Sequence, residues 1–220
     1  MLLTFLMSKS QKYIVLFALF IVPLLFYIFL SVSTYNFAKL PVLTNNVLDV
    51  SIIDQSKTFK DKVSVVVFPG KNIDEVKGEL FNLNEKVYKK FYGYTIFQFI
   101  IIAPNETKAE VNKILEKLAP YTNLVKWNVV FADDEEIEVL YESFKTPDTL
   151  DENLHISKAY IIDKEFGLRG PKDDKDVVGG KLYGYNMRSV SELTKKMHDD
   201  VKVVMAEYKF ALKKNNKREI

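Results

Sequence analysis

Three places in this 220-residue chain could do chemistry. They are a turn at Pro69, Gly70, Lys71 and Asn72, the histidines His155 and His198, and a stretch holding Tyr183, Tyr185 and Met187. The turn follows Val63-Ser64-Val65-Val66-Val67-Phe68, a β-branched run of the length a buried strand needs. Asn72 is a good helix N-cap, and Glu75 three residues on would close a capping box. A thiol at such a helix N-terminus is acidified and becomes a redox or metal-binding group. The chain has no cysteine. Disulfides, thiolate metal sites, thiol nucleophiles and dithiol redox chemistry are therefore excluded.

The other candidates are thinner. His155 offers one imidazole and Met187 one thioether, whereas a specific Cu(I) site needs several soft ligands. His198 sits beside Met197 on a helical pattern and reads as a flank residue. Asp133, Asp134, Glu135 and Glu136 read as the acidic first turn of a helix, where they suit its dipole. Gly179, Gly180 and Gly184 form no phosphate-binding loop, and no G-x-S-x-G elbow is present. Tyr183, Tyr185 and Met187 form a possible partner-contact loop.

The elements that position these residues follow from periodicity. The helix from Asn72 carries a stripe of Ile73, Val76, Leu80, Leu83, Val87 and Phe91. Before the Val63 strand, 37–42 reads as a link and 47–53 as a loose strand running to a polar turn at 54–57. Tyr94 to Ala103 is the most apolar run of the soluble part and predicts a central strand. Thr107 and Glu110 open a second helix as a capping box, with Val111, Ile114, Leu115 and Leu118 buried. Trp127 to Ala132 is a third strand, followed by a helix with Ile137, Leu140, Tyr141 and Phe144 inward. Ser157 to Asp163 is a fourth, and Leu168-Arg169 returns from a hairpin turn. After an irregular stretch, 171–188, Ser189 or Ser191 caps a last helix with Leu193, Met197, Val201, Val204, Met205, Tyr208 and Leu212 inward. This alternation predicts an α/β fold whose mixed sheet is flanked by helices.

Tyr13 to Leu30 is eighteen residues without a charge, so a helix here spans about 27 Å, close to the hydrocarbon core of a bilayer. Tyr13 and Tyr35 suit interfacial anchoring, and Pro23 would kink the helix. Lys9 and Lys12 precede the run, and the positive-inside rule then places the N-terminus in the cytoplasm. Ser31-Val32-Ser33 also passes as a signal-peptide site, but the run exceeds the usual ~7–15 residue apolar region. The expected organisation is a cytoplasmic segment 1–12, an anchor 13–36, an outer domain 37–212 and a basic tail 213–220. Lys+Arg 31 against Asp+Glu 29 gives +2, and no basic groove points to nucleic acid.

Several segments, in order, resemble the Sco/SenC family of membrane-anchored, thioredoxin-like copper chaperones for cytochrome oxidase assembly. Lys60-Asp61-Lys62 with the Val63 strand is similar to the family's first-strand motif. Trp127-Asn128-Val129-Val130-Phe131 before Asp133-Asp134-Glu135-Glu136-Ile137 looks like a second motif. Leu154-His155-Ile156-Ser157, Tyr160-Ile161-Ile162-Asp163-Lys164 and Leu168-Arg169-Gly170 look like a third. Asp200-Val201-Lys202-Val203-Val204 is similar to the family's last helix. The resemblance implies a thioredoxin-like domain on the periplasmic side of a bacterial inner membrane. It also implies copper held by two cysteines and one histidine. Only the histidine has a counterpart here, His155, so Pro69 to Asn72 is a degenerate redox turn.

The sequence thus predicts a degenerate family member with no cofactor, not an enzyme, working by protein contact in envelope or respiratory-complex assembly. One alternative is a weak copper-binding accessory protein using His155, helped by Met187. The other is a thiol-independent enzyme, for which the sequence offers no acid/base pair.

Overall fold

In a computed structural model the described residues are 9–32 and 39–216. The chain divides into two compact units, an N-terminal one and a second from residue 38 onward. The first unit is helix α1, Lys9–Val32, with Pro23 inside it. Ser10 to Leu30 is long and apolar enough to cross a membrane. The expected segment 1–12 lies outside the described residues up to position 8, as do anchor positions 33–36.

The second unit begins with strand β1, Val42–Thr44, where the sequence reads as a link. No strand forms over 47–53; a short 3-10 turn at Val50–Ile52 stands there instead. Val47 and Val50 are buried, so their loose alternation reflects two loop anchors rather than a pleat. Strand β2, Val63–Pro69, is buried throughout. Helix α2, Ile73–Leu83, passes through a π-helical turn, Asn84–Tyr88, into α3, Lys89–Phe91. The whole stripe from Ile73 to Phe91 is inward. Strand β3, Phe97–Pro104, starts three residues later than its apolar run. Helix α4, Lys108–Leu118, strand β4, Trp127–Ala132, and helix α5, Asp134–Glu142, follow as the pattern predicts.

Strand β5, His155–Ile162, takes His155 into the sheet, two residues earlier than expected. Strands β6, Leu168–Arg169, and β7, Tyr185–Asn186, complete the sheet. Helix α6, Val190–Glu192, continues through a second π-helical turn, Leu193–Met197, into α7, His198–Asn216. The expected tail is therefore helical to 216, and 217–220 lie outside the described residues.

The strand order is β1-β6-β5-β2-β3-β4, with β7 beside β5. Strands β2, β3 and β4 are parallel, while β5 runs antiparallel to β2. A strand-helix-strand half joined to a hairpin and a last helix about one mixed sheet is a thioredoxin-like fold. Alternate residues of each strand feed opposite faces, as the period of two demands. Val63, Val65 and Val67 pack with the helices α2, α4 and α7, while Val66 and Phe68 pack with α5.

The helix ends divide by chemistry. Asp133 forms its capping box, its N–H donating to Glu136 Oε2 at 2.9 Å. Ser189 Oγ accepts from Glu192 N at 3.2 Å. The boxes expected at Asn72 and Thr107 do not form. Asn72 caps with no side-chain hydrogen bond, and its carbonyl accepts from Glu75 N at 3.1 Å. The Thr107 hydroxyl donates instead to Pro104 O at 2.8 Å, because a 3-10 turn at Asn105–Thr107 places that carbonyl within reach.

Candidate functional site

The Pro69–Asn72 turn, the start of β5 and the middle of α2 meet in one place. Gly70 sits at φ +69, and a Cβ there would lie 2.4 Å from Asn153 O and 2.7 Å from His155 Cβ. Only glycine admits both that backbone and that approach. The Lys71 N–H donates to Asn153 O at 2.8 Å, and Pro69 pairs in register with His155. Pro69 and Gly70 are buried, Lys71 is half-buried and Asn72 is exposed.

Lys71 occupies the turn where the resemblance would place thiols. Its ammonium lies 2.6 Å from Asp134 Oδ2 and 3.7 Å from Glu106 Oε1. These pairs raise its pKa, chiefly through the Asp134 hydrogen bond. The turn is thus tied to the 3-10 turn that follows β3 and to the first residue of α5 by charge rather than by sulfur.

His155 is enclosed. Its Nε2 lies 3.1 Å from Glu79 Oε2, and its Nδ1 lies 3.6 Å from Asp151 Oδ2. Glu79 is only 5 % exposed, unusual for a carboxylate on a helix. It also accepts from Ser157 Oγ at 3.0 Å and from Arg188 Nε at 2.6 Å. Burial alone would raise the Glu79 pKa, but the hydrogen bonds from His155, Arg188 and Ser157 prevail and lower it. Because the folded pKa is depressed, Glu79 contributes stability above the usual glutamate range and loses it as pH falls through its folded value. Urea midpoints should fall on acidification through that window. A Glu79→Gln variant should lose about 1.5–3 kcal/mol at neutral pH and show a flatter acid slope.

This cluster escaped sequence reading. Its signal was an acid three residues after Val76 and four before Leu83, on the edge of the apolar stripe. The structure does supply an acid/base pair, Glu79 with His155, that the sequence did not reveal. Both imidazole nitrogens face carboxylates, however, and the side chain is 12 % exposed. A cleft of about 490 Å³ is lined by Ser157, Lys158 and Arg188 among others, and neither Glu79 nor His155 lines it.

The donor set does not fit a soft cation. There is no thiolate, and the one imidazole has its Nε2 engaged with Glu79. Among the described residues, no group of three His, Cys, Asp or Glu side chains could hold a metal. Met187 is 1 % exposed and belongs to the core with Leu193 and Met197. Tyr185 is fully buried, with its hydroxyl donating to Asp200 Oδ2 at 2.6 Å. Burial pushes that phenol well above its usual range. Tyr183 is half-buried and packs on the opposite core face. The expected contact loop is thus corrected: β7 pairs with β5, which turns Tyr185 and Met187 inward. His198 packs against Phe91, with ring centroids 5.2 Å apart, remote in sequence and contact from His155.

No protein-family model matches the chain, and no curated protein matches it. Solved structures similar to it include BsSco, a member of the Sco family of cytochrome c oxidase assembly proteins. That match has 16% identity, covers 77% of this chain and 96% of that one, and has a TM-score of 0.45. Copper-bound ScoI from Bradyrhizobium japonicum matches at 17% identity over 69% of this chain and 88% of that one, TM-score 0.42. A thiol:disulfide interchange protein from Bacteroides sp. matches at 17% identity over 60% and 79%, TM-score 0.39. The chain is a cysteine-free protein of thioredoxin-like fold whose structural neighbours include Sco-family and thiol:disulfide interchange proteins.

Proposed function

We propose that this chain is a membrane-anchored, thioredoxin-like protein that acts by protein contact, without copper, dithiol chemistry or catalysis. The observation that carries the proposal is the engagement of His155 with buried Glu79 beside a turn that has no thiol. The hydrogen bond with Glu79 engages the Nε2 edge of the imidazole, and Asp151 stands 3.6 Å from Nδ1. The imidazole serves to fix the start of β5 against α2. The contact surface is the end of the sheet where β2, β3 and β4 finish, with Lys71, Asn72, Glu106 and Asp134 outward. Loops at the carboxyl ends of parallel strands are where α/β folds present recognition groups.

Helix α1 anchors the chain in a bacterial inner membrane, N-terminus inside and the domain in the periplasm. The partner belongs to an envelope or respiratory assembly; that process is proposed from the sequence motifs alone. Photo-crosslinking from a probe placed at Asn72 in native membranes tests the contact. A discrete adduct, absent when the probe is moved to exposed Gly78, is the expected result. No adduct at Asn72 would refute contact through this end.

A further inference from the structure

The opposite end of the sheet carries a second surface. Strands β2, β3 and β4 start together, since Val63 pairs with Phe97 and Phe99 with Trp127. Lys62 precedes β2, the loop 92–96 precedes β3, and the loop 119–126 precedes β4. Lys62 Nζ and Lys126 Nζ donate to the same carbonyl, Thr95 O, at 3.2 and 3.3 Å. Two ammonium groups therefore converge at one loop. Lys90 is exposed just before that loop. Around these cations stand exposed aromatic rings: Tyr94 is 51% exposed and Tyr121 68%, with Tyr92 at 38%. Asp61 and Glu165 are exposed at this end and offset part of the charge.

Lysine and tyrosine together are the composition of a lipid headgroup contact, where the ring lies in the interface and the ammonium meets phosphate. The far end of the same strands carries Asp74, Glu106, Asp133 and Asp134, offset in part by Lys71 and Lys108, so acids outnumber bases there. The two ends thus differ in sign.

We propose that the amino-end surface formed by Lys62, Lys90, Lys126, Tyr92, Tyr94 and Tyr121 docks on anionic phospholipid headgroups. The acidic end then faces away from the bilayer toward its protein partner. The inference rests on the reading of α1 as a membrane anchor.

The single tryptophan is a built-in reporter, because Trp127 follows Lys126 at the start of β4 and is 8% exposed. Full-length protein is placed in liposomes of phosphatidylcholine alone, or with one-third phosphatidylglycerol, each carrying headgroup spin labels. The expected result is Trp127 quenching in the anionic vesicles and loss of that quenching in molar salt, since exposed charges are screened. Lys90→Glu should weaken it, and Lys62→Glu with Lys126→Glu should abolish it. Glu135→Lys, on the opposite end, should leave it unchanged; circular dichroism checks that every variant is folded. Equal quenching in both lipids, or none in either while the protein floats with the vesicles, would overturn the docking. Protein that fails to float would overturn the anchor, and the docking with it. Self-association in detergent that is lost with Lys90→Glu, without lipid quenching, would assign the patch to a second copy and overturn the lipid proposal.

Discussion

Replacing Arg169 with alanine is expected to cost about 3–5 kcal/mol, measured as a lower urea midpoint of the full-length protein. The guanidinium is 5% exposed and pairs with Asp163 Oδ2 at 2.8 Å and Glu207 Oε2 at 2.6 Å. Burial alone would lower its pKa, but the hydrogen bonds to Asp163 and Glu207 raise it, so it stays charged. Removing it strands the buried Asp163 carboxylate and the partly buried one of Glu207. Asp163 also accepts the N–H groups of Glu165 and Gly167, which form the β5–β6 turn. Glu207 also holds the Leu40 N–H at 2.8 Å. The same change therefore loosens the first residues of the domain, the hairpin and α7 together. Faster hydrogen exchange at Leu40 and Gly167, at a rate unchanged near Trp127, would mark the effect as local to that triad. Arg169→Lys should recover only part of the loss, since an ammonium cannot reproduce the forked geometry.

The second large effect is Phe68→Ala, also expected to cost about 3–5 kcal/mol. Phe68 is fully buried, and its ring meets Tyr141 at 5.2 Å, Phe144 at 5.6 Å and Tyr160 at 6.4 Å, all edge-on. Edge-to-face contacts of this kind add to simple area burial. The Tyr141 hydroxyl lies 3.1 Å from the Tyr160 hydroxyl, so the ring also covers a buried polar pair. The cavity left by alanine would admit water to that pair, and Phe68→Leu should cost less by keeping it dry. Thermal denaturation of both variants checks the order. Because Phe68 leads directly into Pro69 and Gly70, the turn should lose protection in the alanine variant first.

Much of the fold was legible because its strongest elements obey one rule each. The runs Val63 to Phe68 and Trp127 to Ala132 are buried strands, and the stripe from Ile73 to Phe91 is a buried helical face. What escaped was set by contacts between distant residues. Strand β1 exists because Val42 and Thr44 find Arg169 and Leu168, a pairing that three residues cannot announce. Tyr185 and Met187 turn inward because β7 joins β5, although the loop around them reads as polar and glycine-rich. The capping box at Asn72 failed where the turn instead satisfied backbone groups through Asn153 and Asn72 carbonyls. The site was half legible. The thiol-free turn and His155 stand in the sequence, but the partner that decides the role of His155 does not. Glu79 looks like any helix-surface acid until the fold brings Ser157, Arg188 and His155 to it.

Copper(I) titration of purified full-length protein against a competing chelator tests the central claim most directly. With His155 bound to Glu79 and no thiol at the Pro69–Asn72 turn, the protein should take no stoichiometric copper from the chelator. His155→Ala should leave that result unchanged while lowering the urea midpoint. A tight one-to-one copper complex that disappears in His155→Ala would contradict the account and make His155 a ligand.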